Sequence, residues 1–446
     1  MQRFALNKGL DIPITGAPRE GIDDGPPISV AAVLGDDYIG LKPRIPVEEG
    51  QAVGPGTPIL INKDQPEIQI VSPAAGRVKA INRGARRKLI SIEVEIDPEA
   101  AEPVDFSAVG DPAKPEGVAE RLCAAGLWTS FRTRPFSKVP SPVSRPTAIF
   151  VTAMDTEPLA ADPAPIIQDA ADDFAAGLRA VASLSEGATY LCHAEGADLP
   201  GVDAPGVVAA AFAGPHPSGL AGTHVHFLEP PVGEKAVWTI GFQDVIAIGR
   251  LMQTGRYDAR RVVALTGPAC RDPRVVRTIA GASMLELAQS DLPDGPVRLI
   301  SGSVLSGRAG EGPSAYLGRY ARQVTLIDED RAQIPFGWIR RMPSKYAVQP
   351  VLGSAGLSKL FPMTSNLNGG RRAMVPLGTF EELMPQDYLP TQLLRALLVM
   401  DTDQAQALGA LELDEEDLGL VGFACPAKYE YGLALRDCLT RIEKEG

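Results

Sequence analysis

A chain of 446 residues is too long for one compact core, and the usual domain size divides it into about three or four units. With 45% hydrophobic and 22% charged residues, 45 glycines and 40 prolines it is folded and turn-rich, not disordered, and a formal net charge of -12 argues against nucleic acid as a partner. The longest apolar runs, GVVAAAFAG and LLRALLVM, fall far short of the roughly 20 residues that cross a bilayer, and MQRFALNKGLDIPITG lacks the apolar core of a secretory signal, so a cytoplasmic location is expected.

From Ile28 to Ile96, short β-branched runs alternate with turns: ISVAAVL, YIGLKP, PIL, EIQIVSP, GRVKAI and LISIEVEI. VEEGQAVGPGTPIL and SPAAGRVKAI each place glycine at a tight turn shortly before valine, as two half-barrels folded alike require. The spacing resembles the barrel-sandwich fold of biotinyl and lipoyl carriers, expected over 1–100. Counted back from Pro73, the carrier lysine position holds Gln65, and Lys63 is two places out, so the fold is expected without the swinging arm. Residues 101–146 read as a proline-rich connector with one helix around GVAERLCAAGLW. The strand TAIFVTA, the helix PIIQDAADDFAAGLRAVASL, the strands ATYLCHA and GVVAAAFAG and the helix FQDVIAIGRLMQTG make 147–258 an open, Rossmann-like α/β domain. RRVVALTGP, RTIAGASMLELAQ, RLISGSVLSG and QVTLIDED form a β-rich unit over 259–330, consistent with a β-grasp. Residues 331–446 read as helical, with Leu393, Leu394, Leu397 and Leu398 on one stripe. The fold class is therefore multidomain, α/β plus β.

GPHPSGLAGTHVHF, at 214–227, holds three of the four histidines, His216, His224 and His226, at the carboxyl end of strand 207–213, where open sheets keep their ligands. On a strand, His224 and His226 would share one side, which is compatible with metal binding. No cysteine is close in sequence, the nearest carboxylate is Glu229, and the prolines of GPHP account for a rigid turn. A structural or docking loop is expected, with metal binding or general-base chemistry as the rival. GLAG is not G-x-G-x-x-G and no P-loop lysine follows it, so it is a weak phosphate signature. EGAT at 186–189 resembles a Ser-Gly-Ala-Thr flavin attachment sequence, but glutamate replaces serine and Thr189 runs straight into a strand. RGARRK (83–88) and SFRTRPFSK (130–138) concentrate positive charge and read as solvated faces, with contact to anionic partner loops or lipid headgroups as the rival. Cys123, Cys192, Cys270, Cys425 and Cys438 are scattered and never form C-x-x-C, which points to free, mostly buried thiols and not to disulfides or a metal cluster.

Longer strings carry a resemblance. KGLDIPITG, SPAAGRVKAINRGARR, AGLWTSFRTRPFSKVP, GPHPSGLAGTHVHFLEPP, QPVLGSAGLSKLFPMTSNLNGGRRAMVPLGTFEELMP and CPAKYEYGLALRDCLTRIEKEG follow one another nearly end to end. In that order they resemble the NqrA family, one of the component polypeptides of the bacterial sodium-translocating NADH:quinone oxidoreductase. The resemblance implies a barrel-sandwich, a Rossmann-like, a β-grasp (SLBB-like) and a helical C-terminal domain. It implies a complex that oxidises NADH, reduces ubiquinone and exports Na+ through FAD, FMN, riboflavin and an iron-sulfur centre held in other subunits. It also implies a soluble peripheral subunit on the cytoplasmic side of the inner membrane, partnered chiefly by the membrane subunits and inactive alone. The family is similar to the RnfC component of the Rnf complex and to the flavin-binding component of complex I, which bind FMN and NADH through a glycine-rich loop. Here CAAGLWTSFRTRP stands in its place, and Leu127, Trp128, Phe131 and Arg132 are expected to fill the space that glycines would leave. Of the relatives' clustered cysteines only Cys425 and Cys438 correspond, too few for a four-cysteine cluster. No catalytic residue, cofactor or metal is therefore expected on this chain. His216, His224, His226, Trp128, Phe131, Arg132, Lys428, Tyr429 and Tyr431 are candidate contacts for a partner or a ligand such as ubiquinone. The rivals are a stand-alone carrier or binding module and a nucleotide-dependent oxidoreductase using the crevice at 207–226.

Overall fold

The computed structural model describes residues 2–231, 233, 235–336, 345–349 and 359–445. Part of the helical expectation for 331–446, and of the string QPVLGSAGLSKLF, thus falls on 337–344 and 350–358, which lie outside the described residues.

Two small antiparallel sheets face each other in the first unit. One runs in the order Val30–Leu34, Leu89–Ile96, Gly76–Arg83, Ala52–Val53, and the other Pro43–Arg44, Pro58–Asn62, Gln69–Val71. Their alternating residues meet in a core that includes Val33, Val53, Ile59, Leu60, Ile92 and Val94, the packing that period-two patterning dictates. Lys63 is exposed just beyond the strand Pro58–Asn62.

The second unit is a six-stranded sheet in the order Gln2–Ala5, Val207–Ala213, Thr189–Ala194, Ile149–Ala153, Val237–Gly241, Arg132–Arg134. All neighbours are parallel except the last pair. The proline-rich stretch expected to be a connector thus supplies an edge strand, Arg132–Arg134, and the helix Pro115–Ala124. Helices Ala171–Ala182 and Phe242–Thr254 touch backbone to backbone: a Cβ on Gly177 would lie 1.9 Å from the Val245 carbonyl oxygen.

A third sheet, mixed, runs Arg308–Ala309, Val297–Ser301, Gln323–Asp328, Arg260–Thr266, Arg274–Ile279, Ile22–Asp24. Beyond it, the helices Thr379–Leu383, Pro390–Val399, Thr402–Ala407, Gly419–Ala424 and Tyr431–Glu445 enclose Leu393, Leu394, Leu397 and Leu435. Residues 2–24, which the sequence reading joins to the barrel, serve these other three units instead. Gln2–Ala5 edges the parallel sheet, Ile22–Asp24 edges the third, and Ile12 and Ile14 pack into the helical core.

Candidate functional site

The histidine loop leaves the carboxyl end of Val207–Ala213, as its sequence position requires, but its second half is the helix Ala221–Leu228 and not a strand. At about 100° per residue, His224 and His226 point to nearly opposite sides, which corrects the shared face expected of a strand. His216 and His224 are fully buried. The His216 Nδ1 lies 3.3 Å from Thr156 Oγ1, its backbone N–H donates to Asp11 Oδ1 at 2.9 Å, and its carbonyl accepts from Leu10 N at 2.8 Å. Gly9 must be glycine there, since a Cβ would sit 2.2 Å from that carbonyl oxygen at a φ of +128°. His224 Nε2 is 3.0 Å from the Ser218 carbonyl, which makes it the protonated nitrogen, and the ring packs on Phe212 at 4.4 Å. Burial pushes His216 down to about 4 and His224 down to about 3, so both are neutral at physiological pH. His226 turns the other way, with Nδ1 2.9 Å from Glu412 Oε2, Nε2 3.2 Å from Asp387 Oδ1, and its ring against Tyr388. The three rings do not converge: two lock the loop and the third pins it to the helical domain. Among the described residues no group of three or more histidine, cysteine, aspartate or glutamate side chains is placed to hold a metal ion.

Trp128, Phe131 and Leu127 are fully buried within the main core of the α/β unit. Trp128, Phe131 and Trp238 form a triangle of rings with centroids 5.4 to 5.5 Å apart, and Trp128 Nε1 donates to the Pro140 carbonyl at 2.8 Å. These side chains therefore build the core under the sheet edge. Arg132 and its neighbours correct the solvated-face reading of SFRTRPFSK. Arg134 has no exposed side chain, and with Arg132 and Arg436 it surrounds the Asp414 carboxylate at 3.3, 3.1 and 2.9 Å. Ser137 Oγ adds a bond to Asp414 Oδ2 at 2.7 Å. Burial alone would raise the Asp414 carboxyl, but Arg134, a side-chain hydrogen bond with Glu415, Arg132 and Arg436 hold it well below the usual range. The charge run thus fastens the sheet to the acidic LDEEDL segment that opens the last helices. Sequence reading marks the basic run but has no means of pairing it with 414–416.

Lys428, Tyr429 and Tyr431 come together on a cleft of about 740 Å³ between the third sheet and the helical domain. Arg298 and Ile300 form its sheet side, while Tyr346 and Phe423 stack in parallel nearby at 6.3 Å. The Tyr431 hydroxyl lies 3.2 Å from Cys425 Sγ, and burial lowers the Lys428 amine from its ordinary value. Leu367, Leu377 and Leu433, each at least half exposed, stand on the rim. Glu157, missed by sequence reading, accepts from Ser303 Oγ at 2.6 Å and Ser306 Oγ at 2.7 Å; burial and the neighbouring Asp155 push it up to about 7. All five cysteines are buried, and burial raises the Cys123 thiol to about 12.

A barrel-sandwich module, an α/β unit and a further sheet, in that order and joined by buried polar contacts, define a multidomain protein class. Three family models match in the same order: the NqrA N-terminal barrel-sandwich hybrid domain over 4–97, the NqrA second alpha/beta domain over 113–257, and the NQRA C-terminal domain over 262–311. The NqrA polypeptide of the Na(+)-translocating NADH-quinone reductase from Neisseria gonorrhoeae is 48% identical over 99% of both chains. Its counterparts from Serratia proteamaculans and Saccharophagus degradans are 50% and 49% identical, likewise over 99% of both. The chain belongs to the NqrA family.

Proposed function

We propose that the chain is a peripheral subunit of a sodium-pumping NADH:ubiquinone reductase, seated on the cytoplasmic side of the inner membrane against the membrane subunits. The observation that carries this is the 48–50% identity to NqrA relatives across 99% of both lengths. In agreement, no helix among the described residues is long and apolar enough to cross a membrane. In this reading the α/β unit is Rossmann-like, the third sheet is a β-grasp and the rest is the helical domain. FAD, FMN, riboflavin, the iron-sulfur centre and NADH are held by other subunits, and the isolated chain does not oxidise NADH. Trp128 and Phe131 support a scaffold without flavin, because a phosphate needs close backbone approach where these rings are packed. Of the histidines, His216 and His224 serve the loop, while His226, with Tyr388, ties it to Glu412 of the helical domain. Lys428, Tyr429, Tyr431 and the apolar rim of the large cleft suit a segment of a membrane subunit, since exposed apolar patches ringed by polar groups mark interaction sites. Arg132 acts within the chain, on Asp414.

Affinity purification of the tagged chain from detergent-solubilised host membranes tests the reading. The membrane subunits should co-purify, and a photo-crosslinker at Leu433 should capture one of them. The isolated chain should lack flavin absorbance. Recovery of the chain alone from active membranes overturns the assignment; stoichiometric flavin on it overturns the scaffold role only.

A further inference from the structure

The hairpin between the strands Gly76–Arg83 and Leu89–Ile96 of the barrel-sandwich unit ends in RGARRK, four cations in six residues of a chain whose formal net charge is -12. Arg83, Arg86, Arg87 and Lys88 are all exposed, as is Lys79 on the first of the two strands. Lys88 pairs with Asp36 at 2.5 Å, but both side chains are at least half exposed, so water weakens the pair. Among the described residues Arg83, Arg86 and Arg87 form no ion pair, and Arg83 Nη1 donates only to the Arg87 carbonyl, at 3.3 Å. Arg132, Arg134 and Arg436, by contrast, are all matched inside the chain.

The backbone of the tip is closed by three bonds: Gly84 N to the Lys88 carbonyl at 2.8 Å, Arg87 N to that of Gly84 at 3.1 Å, and Lys88 N to that of Ala85 at 3.2 Å. Within it Arg86 and Arg87 stand at φ +53° and +62°, in the left-handed region that glycine and asparagine enter most readily. Two consecutive arginines thus occupy a strained turn in which their side chains satisfy nothing inside the chain. Strain kept without internal benefit points to work done outside it.

We propose that this hairpin tip is a contact for anionic lipid headgroups, which seats the barrel-sandwich unit against the membrane surface. The inference rests on the peripheral reading above only in that a bilayer must be within reach. Between Arg83 and Lys88 the uncharged residues are Gly84 and Ala85, so the tip has none of the aromatic or large apolar anchors that give protein interfaces their affinity. A layer of phosphate headgroups needs no such anchor: the planar fork of arginine matches phosphate, and each cation near the layer strengthens binding about fivefold. At 0.1 M salt a Debye length of about 10 Å screens the tip from most of the acidic body.

Flotation of the full-length chain with vesicles of phosphatidylcholine alone, and of phosphatidylcholine with about 30 mol% phosphatidylglycerol, tests this without any partner subunit. The chain should bind the anionic vesicles at roughly millimolar lipid, leave the neutral ones unbound, and come off at about 0.5 M salt. A variant carrying Arg83→Gln, Arg86→Asn and Arg87→Asn should bind about a hundredfold more weakly, and because asparagine suits the left-handed turn its melting temperature should not fall. Arg371→Gln with Arg372→Gln, which neutralises another exposed basic pair, should bind as the parent does. In detergent, where no bilayer is present, the triple variant should still co-purify with the membrane subunits. Loss of those subunits from the triple variant alone identifies an acidic protein surface as the partner and overturns the lipid contact while leaving the peripheral reading intact. Equal binding to both vesicles, no binding to either by about 10 mM lipid, undiminished binding of the triple variant, or an equal loss in the Arg371 and Arg372 variant also overturns it.

Discussion

The loop around His216 and His224 and the hub around Asp414 are both buried polar joints between units, yet they tolerate burial by opposite means. In the first, burial strips the charge: the imidazoles are neutral, and each ring makes one bond, His216 to a threonine and His224 to a backbone carbonyl. In the second, the charge stays and is matched, with three guanidinium groups on one carboxylate. A buried ion that is fully paired fails badly only when one partner is removed, whereas a buried neutral base fails when protons are supplied. The two joints should therefore respond to different insults.

The largest effect is expected at the hub. Asp414→Asn leaves the buried Arg134 with only the more distant Glu416, at 3.7 Å, and should cost about 3–5 kcal/mol in urea unfolding; a loss under about 1 kcal/mol would place the joint among weak surface pairs and end the contrast. Acid comes next. His216 and His224 have folded pKa values of about 4 and about 3, below the ordinary 6.5, so the unfolded chain binds their protons first. Their contribution is complete above pH 6.5 and is lost as pH falls towards 4, at up to about 1.4 kcal/mol per pH unit for each ring. His224→Gln retains a donor for the Ser218 carbonyl and should flatten that limb of the stability profile, while Asp414→Asn should leave it unaltered. Trp128→Phe removes the bond to Pro140 and also leaves a void where the second ring of the buried indole packed against Phe131 and Trp238, so it should cost about 2 kcal/mol or more and leave the fold's spectrum intact. One further effect has the opposite pH sign: Glu157, raised to about 7 from 4.5, favours the folded state below pH 4.5 and loses that advantage as pH rises through 7. Glu157→Gln should remove the decline of stability between pH 5 and 8, measured by melting across that range.

The periodic elements were readable because patterning is local: most barrel strands, the parallel strands and the leucine stripe of Pro390–Val399 stand where alternation or 3.6-residue spacing puts them, whereas YIGLKP forms a turn and enters a strand only at Pro43. The candidate site was readable only in part. AGTHVHFL has no clear helical stripe, so its helix comes from its place behind the strand and not from its own composition. The break between Pro163–Gln168 and Ala171–Ala182 is invisible to periodicity, because Ile167, Phe174, Leu178 and Val181 stay in phase across it and all are buried. RTR and DEED are each conspicuous as charge, but their pairing spans most of the chain and depends on tertiary folding. Segment 2–24 is the extreme case, since short runs of ordinary residues are divided among three units by partners far away.

That threading bears on biosynthesis. Leu6 donates to Ala213, Gly9 to Glu382 and Thr15 to Phe361, so the amino end finds its seats only after most of the polypeptide has left the ribosome. Until then the nascent parallel sheet has an unsealed margin, a place where chaperones or strand exchange can intervene. Translation order thereby makes residues 2–15 dock after segments that are synthesised later than they are.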